Sequence, residues 1–480
     1  MKKIENIKTP FSFLQMIKPL WRDFSYFPHQ IDGINWMLDK EKNGTVVPDR
    51  NNKDVTVYGG LQCDDMGLGK TIQVTSVIIN NPCSTLIIAP FAMIDTWSSV
   101  LQKAGCVVYE VHKNHSWTLV NDPSKPVSRG KRPHVYITNY EKLYYNPSLF
   151  RISWGRVVLD EAHKIRNGDG SIAVRARKII APIRWVVTGT PLVNSHKDVV
   201  SLLAFIGIPY SPLWRWEPRY IKMIPRILIH RSLSGLNIKG APPTPEIHNI
   251  HLPFTSKEEE EFYFGVQGAT DSMIKKYSNE LLNSTQTFLL LLRLRQISVH
   301  PQVYINAKRK EKGYIRDDWT APSTKLEKIK EIIQTDTGVH KYLIFCQFHD
   351  EMSLIQTYLS PIVKHILLYN GSMNQSERTE VLSASKETTE TTVMLIQLQA
   401  GGVGLNLQEY DRVIFVSPWW TSALMDQAIA RAVRMGQTEI VKVYHLHLVA
   451  ENDSTINIDM LINKKADEKR KMLEELFSIV

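Results

Sequence analysis

Cysteine is scarce: Cys63, Cys83, Cys106 and Cys346 are the only four in 480 residues. No two are spaced as Cys-x-x-Cys, which argues against a zinc ribbon, a RING module and a disulfide framework. The simplest expectation is a reducing, intracellular compartment. Long apolar runs are also missing. FLLLLRLRQ (288–296) is broken by Arg293 and Arg295, so no segment reads as a membrane span. The opening MKKIENIKTP has no apolar stretch of the kind a secretory signal carries. Neither sign of charge dominates. Lys plus Arg is 58 and Asp plus Glu is 48, a net of +10. That excess suits a polyanionic partner without requiring one. Apolar residues make up 43% of the chain. This is enough for two or three domains of roughly 100–200 residues each.

Short β-branched runs alternate with helical patterns. TLIIAP (85–90), VYIT (135–138), RVVLDEAH (156–163) and RWVVTGT (184–190) each read as a buried strand ending at a loop. The rhythm returns in KYLIFCQF (341–348), TTVMLIQL (391–398) and DRVIFVSP (411–418). Such βαβ alternation predicts an α/β fold: parallel sheets covered by helices, in two related lobes. Residues 256–300 show long apolar spacing and no strand signal. They read as a helical insertion bordered by APPTPE (241–246) and the polar stretch 307–324. The expected division is lobe one at 1–235, a helical protrusion and linker at 236–324, and lobe two at 325–480. No internal repeat of 20–50 residues is visible.

LQCDDMGLGKTIQVTSVI (61–78) follows an apolar strand and opens a helix. Gly67 and Gly69 allow a sharp turn that points backbone N–H groups at phosphate oxygens. Lys70 supplies a point charge for the β and γ phosphates, and the Thr71 hydroxyl can ligate Mg²⁺. Asp64 stands where the general GxxxxGK[ST] pattern has its first glycine. In VVLDEAHKIRN (157–167), Asp160 ends a strand and can hold Mg²⁺ through water. Glu161 can orient and deprotonate an attacking water. Taken alone, each segment has a plainer reading: a glycine turn before a helix, and an acidic pair at a helix start. Their succession in one chain favours a site for ATP and Mg²⁺.

Together these motifs resemble the superfamily-two helicases, specifically the Swi/Snf-type DNA-translocating ATPases, whose loop also carries Met-Gly-Leu-Gly-Lys-Thr after an acidic pair. The resemblance runs from about residue 27 to about residue 447. It implies two RecA-like lobes with ATP as the nucleotide. FPHQIDGINWM (27–37) stands where that family has its Q motif, so Gln30 is implied to read adenine. Without the resemblance Gln30 is a solvated helix residue. APFAMIDTW (89–97) and ITNYE (137–141) look like segments that grip one strand's phosphates. VVTGTPLVNS (186–195) looks like motif III, with Thr188 and Thr190 linking nucleotide to nucleic acid. In the second lobe, IQLQAGGVGLNLQEYDRVIFVSPWW (396–420) places Gly401, Gly402 and Gly404 where backbone can approach a phosphate. DQAIARAVRMGQT (426–438) resembles motif VI. Arg434 is implied as the arginine finger, with Arg431 as second candidate.

Some positions depart from the pattern. Ser417-Pro418-Trp419-Trp420-Thr421-Ser422 stands for the family's Asp-Pro-x-Trp-Asn-Pro. His230 replaces a common arginine and leaves Arg231, and Val433 replaces a usual histidine. The insertion, with LLRLRQISVHP (291–301) and Tyr263, resembles the protrusions of Swi/Snf motors. The nearest pattern is the branch of the helicase-like transcription factor, here without its RING or its preceding DNA-end-binding domain. The resemblance implies a monomeric motor core on double-stranded DNA, acting on protein cargo or branched DNA, with no membrane partner. It would work in a DNA-containing compartment: nucleus, nucleoid or viral replication site. A strand-separating helicase and an ATPase switch within a transcription or repair complex stay open as alternatives.

Overall fold

The structure is a computed structural model. It describes residues 17–480 apart from 49–52, 112–115, 121–131, 210–217, 234, 237–240, 278–283, 312, 399–404 and 451–455. The chain forms two units. Unit 1 holds residues 1–238 and 472–480, and unit 2 holds 239–471.

Unit 1 is built on β1 (Thr45–Pro48), β2 (Asp54–Gln62), β3 (Thr85–Ala89), β4 (Val107–Val111), β5 (Trp117–Leu119), β6 (His134–Asn139), β7 (Arg156–Asp160), β8 (Ile183–Val187) and β9 (Leu228–Ile229). Their order across the sheet is β1-β2-β8-β7-β3-β6-β4-β5, with β9 also on β2. All pairings are parallel except β1–β2 and β4–β5 at the two margins. Period-two alternation sends Leu86, Ile88, Val157 and Leu159 to a core on one face. Ile87, Ala89, Val158 and Val187 go to a core on the other. Two buried faces explain why these strands read as unbroken apolar runs. At the foot of β7, the buried Arg156 guanidinium makes a bidentate pair with Glu41, at 2.6 and 2.5 Å. Glu41 also accepts from the Trp185 indole at 2.8 Å. This contact fixes the helix Pro28–Asn43 against the sheet.

Unit 2 carries β10 (Glu246–Leu252), β11 (Lys341–Cys346), β12 (His365–Tyr369), β13 (Thr392–Gln397), β14 (Arg412–Phe415) and β15 (Lys442–Leu448). The order is β10-β15-β14-β11-β13-β12, and every pairing is parallel. Tyr342, Ile344, Val393 and Ile414 pack on one face, and Leu343, Phe345, Met394 and Val413 on the other. The α/β expectation therefore holds in both units.

One stretch differs from the sequence reading. Residues 246–252, placed there in a helical protrusion and linker, form β10 and pair with β15 over seven positions. β10 is an edge strand with mostly exposed side chains, and its partner lies nearly 200 residues further on. No local signal marks such a strand. The helices Lys257–Tyr277, Ser284–Val299 and Pro301–Lys308 follow it, as the apolar spacing predicted. Tyr263, Leu294 and Ile297 form a small core there with Ile458 and Ile462.

Candidate nucleotide site

The site in unit 1 grows from the C-terminal ends of β2 and β7. In a doubly wound sheet, ligands bind at that edge. After β2, Gly67 and Gly69 adopt φ of 85° and 77°, in the region that favours glycine. Gly69 is the N-cap of the helix Lys70–Asn80, and no side chain caps the helix. Its first N–H groups therefore point toward whatever lies before the helix, an arrangement suited to phosphate. The Lys70 ammonium donates to the backbone carbonyls of Asp64, at 2.7 Å, and Asp65, at 3.1 Å. Thr71 lies in the same first turn.

Asp64, the residue in place of a glycine, turns out to be a hub. Its buried carboxylate accepts from Gln62 at 2.7 Å, Gln73 at 3.1 Å and the Arg231 Nε at 2.9 Å, with a second bond from Arg231 Nη2. Arg231 also donates to the carbonyl of His29. The lead-in to the phosphate loop is thereby bound to the segment after β9. Cys63 N donates to Ile229 O, Asp65 N to Arg231 O, and Leu233 N to the Asp65 carboxylate. His230 binds the Cys63 carbonyl through Nδ1 and stacks on Phe477, with centroids 3.5 Å apart. A Cβ on Gly33 would meet the ends of the Gln73 and Arg231 side chains, so a larger residue where that helix crosses the hub would displace them from Asp64.

Gln30 is buried, not solvated. Its Oε1 accepts from Phe27 N at 3.1 Å, and its Nε2 donates to Leu68 O at 3.4 Å. The His29 ring lies 3.1 Å from the same carbonyl. The start of this helix and the phosphate loop are thus one hydrogen-bonded body.

At the end of β7, Asp160 is 7% exposed. Its Oδ2 accepts from the Trp97 indole at 2.7 Å and its Oδ1 from Glu161 N at 3.0 Å. Burial, with the Glu161 charge beside it, raises its pKa to about 6, against the opposing pull of Trp97 and Lys70. Glu161 sits at φ 49°, ψ 49°, a left-handed conformation that costs a non-glycine residue about 1–3 kcal/mol and clusters at functional sites. His163 Nδ1 approaches its carboxylate at 3.3 Å. Motif III closes the same region. Thr188 N donates to Gln62 O, Thr190 N donates to the Thr188 hydroxyl at 3.1 Å, and a Cβ on Gly189 would stand 3.6 Å from the Lys70 ammonium.

The structure therefore gathers Gln30, Gly67, Gly69, Lys70, Thr71, Asp160 and Glu161 in unit 1. Among the described residues no group of three or more His, Cys, Asp or Glu could hold a metal by itself. The Thr71 hydroxyl and Asp160 carboxylate are hard oxygen donors. They fit a Mg²⁺ that takes its other ligands from water and phosphate.

Arg431 and Arg434 lie in unit 2. Arg431 is in the last turn of the helix Ser422–Ala432, and Arg434 follows in the turn beyond it. Leu407 N donates to Arg431 O at 3.1 Å, and Gln437 N to Arg434 O at 2.9 Å. The Gln437 amide ties this turn to the carbonyls of Gln408, at 2.8 Å, and Tyr410, at 3.3 Å. Gly404, with Gly401 and Gly402, lies outside the described residues. Sequence reasoning gave no role to Gln62, Gln73 or Trp97 and left Arg231 as a leftover. Trp97 and Arg231 find Asp160 and Asp64 across 63 and 167 residues, so only the fold assembles those contacts, while Gln62 and Gln73 lie 2 and 9 residues from Asp64 but have no pattern that marks them.

A family described as SNF2-related domain matches residues 29–303, and the helicase conserved C-terminal domain matches 324–436. The chain belongs to the SNF2-related family. It is a helicase-like ATPase with a nucleotide-binding core. A "Probable global transactivator" of Orgyia pseudotsugata multicapsid polyhedrosis virus is 28% identical, over 94% of this chain and 91% of that protein. An uncharacterized ATP-dependent helicase of Mycoplasma genitalium is 26% identical, over 93% of this chain and 42% of its own length. DNA repair protein RAD5 of Gibberella zeae is 23% identical, over 89% and 56%. The chain thus spans nearly all of the viral relative and about half of the other two. The Sulfolobus solfataricus SWI2/SNF2 ATPase core in complex with dsDNA aligns with a TM-score of 0.40 and 22% identity, over 97% of this chain and 99% of that one.

Proposed function

We propose that the chain is an ATP-dependent translocase on double-stranded DNA that remodels protein–DNA complexes or branched DNA. The observation that carries this reading is the assembly in unit 1. Lys70 and Thr71 stand at an open helix N-terminus, and Asp160 and Glu161 stand at a strand end on the same sheet edge. Bound Mg²⁺ would rest on Thr71 and, through water, on Asp160, and would offset the charge on the phosphates. Gln30 contributes to adenine recognition once its local bonds exchange for the base. Lys70 holds the β and γ phosphates. Glu161 orients the water and takes its proton.

Arg434, in unit 2, is the proposed finger for the transferring phosphoryl group, with Arg431 as reserve and Gly404 on the phosphate side. Because the two halves of this machinery lie in separate units, ATP binding and hydrolysis would change how the units are held. Backbone contacts that alternate with that change move the chain along DNA without reading sequence. The net charge of +10 and the helical segment 257–308 support a duplex track. The repair relative's name agrees with work on DNA in a repair setting, and the viral relative is named a probable global transactivator. The core acts as a monomer, and any cargo is protein already on the DNA.

ATPase rates with no nucleic acid, single-stranded DNA, duplex DNA and RNA test the reading. Duplex DNA should stimulate most, with an affinity that falls steeply as salt rises. Stronger stimulation by RNA, or no salt dependence, overturns the duplex assignment. Displacement of a tailed strand would favour the unwinding helicase instead.

A further inference from the structure

The two segments that resemble nucleic-acid grips leave from neighbouring strands. APFAMIDTW leaves the end of β3, ITNYE spans the end of β6, and the order β7-β3-β6 sets both beside the end of β7. Each carries one buried aromatic side chain, and an exposed one lies within the first segment and four residues beyond the second. After β3, Phe91 is 67% exposed, while Trp97 is fully buried. After β6, Tyr145 is 68% exposed, while Tyr140 is buried. Both buried rings end on the same residue. The Trp97 indole donates to the Asp160 carboxylate at 2.7 Å, and the Tyr140 hydroxyl donates to the Asp160 backbone carbonyl at 2.7 Å.

A buried indole N–H needs some acceptor, and a neutral carbonyl would satisfy it. Here it takes a charged carboxylate, the one placed to hold the metal. A short bond from a neutral donor to a buried charge is among the stronger kinds. With Glu161 N on the other oxygen, it fixes the plane of the carboxylate. Tyr140 fixes the backbone from which that carboxylate projects. Partners of this kind orient a metal ligand.

We propose that Trp97 and Tyr140 are positioning residues that set the Asp160 carboxylate and transmit to it the occupancy of the two segments by nucleic acid. The second half of this statement rests on the DNA-motor reading above, and the first half does not. A shift of either segment on its outward side would move the indole or the phenol. It would thereby change the metal-holding geometry without any contact between nucleic acid and nucleotide.

The test uses the full chain with Trp97→Phe, Trp97→His and Tyr140→Phe. Mn²⁺ binding in the presence of a non-hydrolysable ATP analogue is followed by the paramagnetic resonance of free Mn²⁺. Trp97→Phe keeps a ring but loses the donor, and should weaken Mn²⁺ binding by about 10-fold, as removal of such outer partners does elsewhere. Trp97→His returns a ring N–H and should recover part of the loss. Tyr140→Phe should act in the same direction and more weakly, because its acceptor is a neutral carbonyl. In parallel, duplex-DNA stimulation of the ATPase should fall several-fold in Trp97→Phe while DNA affinity stays near wild type. Wild-type Mn²⁺ affinity in both Phe variants overturns the positioning role. Altered Mn²⁺ affinity with undiminished stimulation overturns the transmission. A wild-type enzyme unmoved by any nucleic acid overturns both the motor reading and the transmission, while the Mn²⁺ measurement still decides the positioning. A Trp97→Phe protein whose thermal midpoint collapses leaves Tyr140→Phe to decide.

Discussion

Two strand ends in unit 1 each bury an aspartate, and they treat it in opposite ways. At the end of β2, Asp64 is met by the Arg231 guanidinium on both oxygens and by two glutamine amides. At the end of β7, Asp160 receives two neutral N–H donors and the electrostatic pull of Lys70. Asp64 is electrically complete, so its carboxylate is an anchor for the loop. Asp160 keeps an uncompensated charge in a buried place, with a pKa raised to about 6. Proteins bear that cost where a cation binds or chemistry occurs. The identity of the residue is the same, and its partners assign the role.

The largest expected effect comes from disabling the chemical side of this contrast. Lys70→Ala should bring ATP turnover to background. Glu161→Gln should lower it by at least about 100-fold while ATP still binds, because the amide cannot accept the water's proton. Steady-state rates with nucleotide-binding isotherms check both, and near-normal turnover by either variant removes the assignment. Arg434→Ala should slow hydrolysis on the order of 10³-fold, with ATP affinity only modestly lower and DNA binding nearly intact. Arg434→Lys should not restore it, since an ammonium lacks the planar fork. Normal hydrolysis with lost DNA affinity would make Arg434 a backbone clamp and move the finger to Arg431.

The contrast itself breaks or stands on a stability comparison. Arg231→Ala leaves Asp64 buried and unpaired, and should cost about 3–5 kcal/mol, read as a drop of several degrees in the thermal midpoint. Asp160→Asn removes a charge that has no cation, at the loss of one acceptor. Its midpoint should stay close to wild type although turnover is lost. Equal destabilisation by the two would mean that the electrostatic difference is not real.

The smallest effect concerns Glu351 in unit 2. It is buried, accepts from Gln347 N and Phe348 N, and burial raises its pKa to about 7. A folded-state pKa above the unfolded value of 4.5 means that the folded state binds the extra proton between those limits. Stability contributed by this group is therefore present at low pH and lost as pH rises from about 4.5 to 7, on the order of 1–3 kcal/mol in all. Glu351→Gln should flatten the dependence of the melting temperature on pH across that window. An unchanged slope assigns it to other groups.

Much of the candidate site was legible before the fold. Gly67, Gly69, Lys70 and Thr71 lie within five residues, and Asp160 and Glu161 are adjacent, so local spacing carries their chemistry. The buried strands were legible for a related reason: a strand covered on both faces is apolar at every position. β10 was not, because a solvent-facing edge strand has a polar sequence and borrows its hydrogen bonds from β15. Gln30 looked solvated for the converse reason. A lone amide on a helix gives no sign that Leu68 will fold over it.

The sequence by itself determined the buried strands, the helices and the residues of the candidate site, because backbone period and motif spacing are local properties. Tertiary structure alone decided how those groups are held. Arg231 reaches Asp64 across 167 residues, Arg156 reaches Glu41 across 115, and Trp97 reaches Asp160 across 63. A buried charge or N–H must find a partner wherever the chain brings one. No local pattern records which partner that will be, since the choice is made by packing when the sheet closes over its helices.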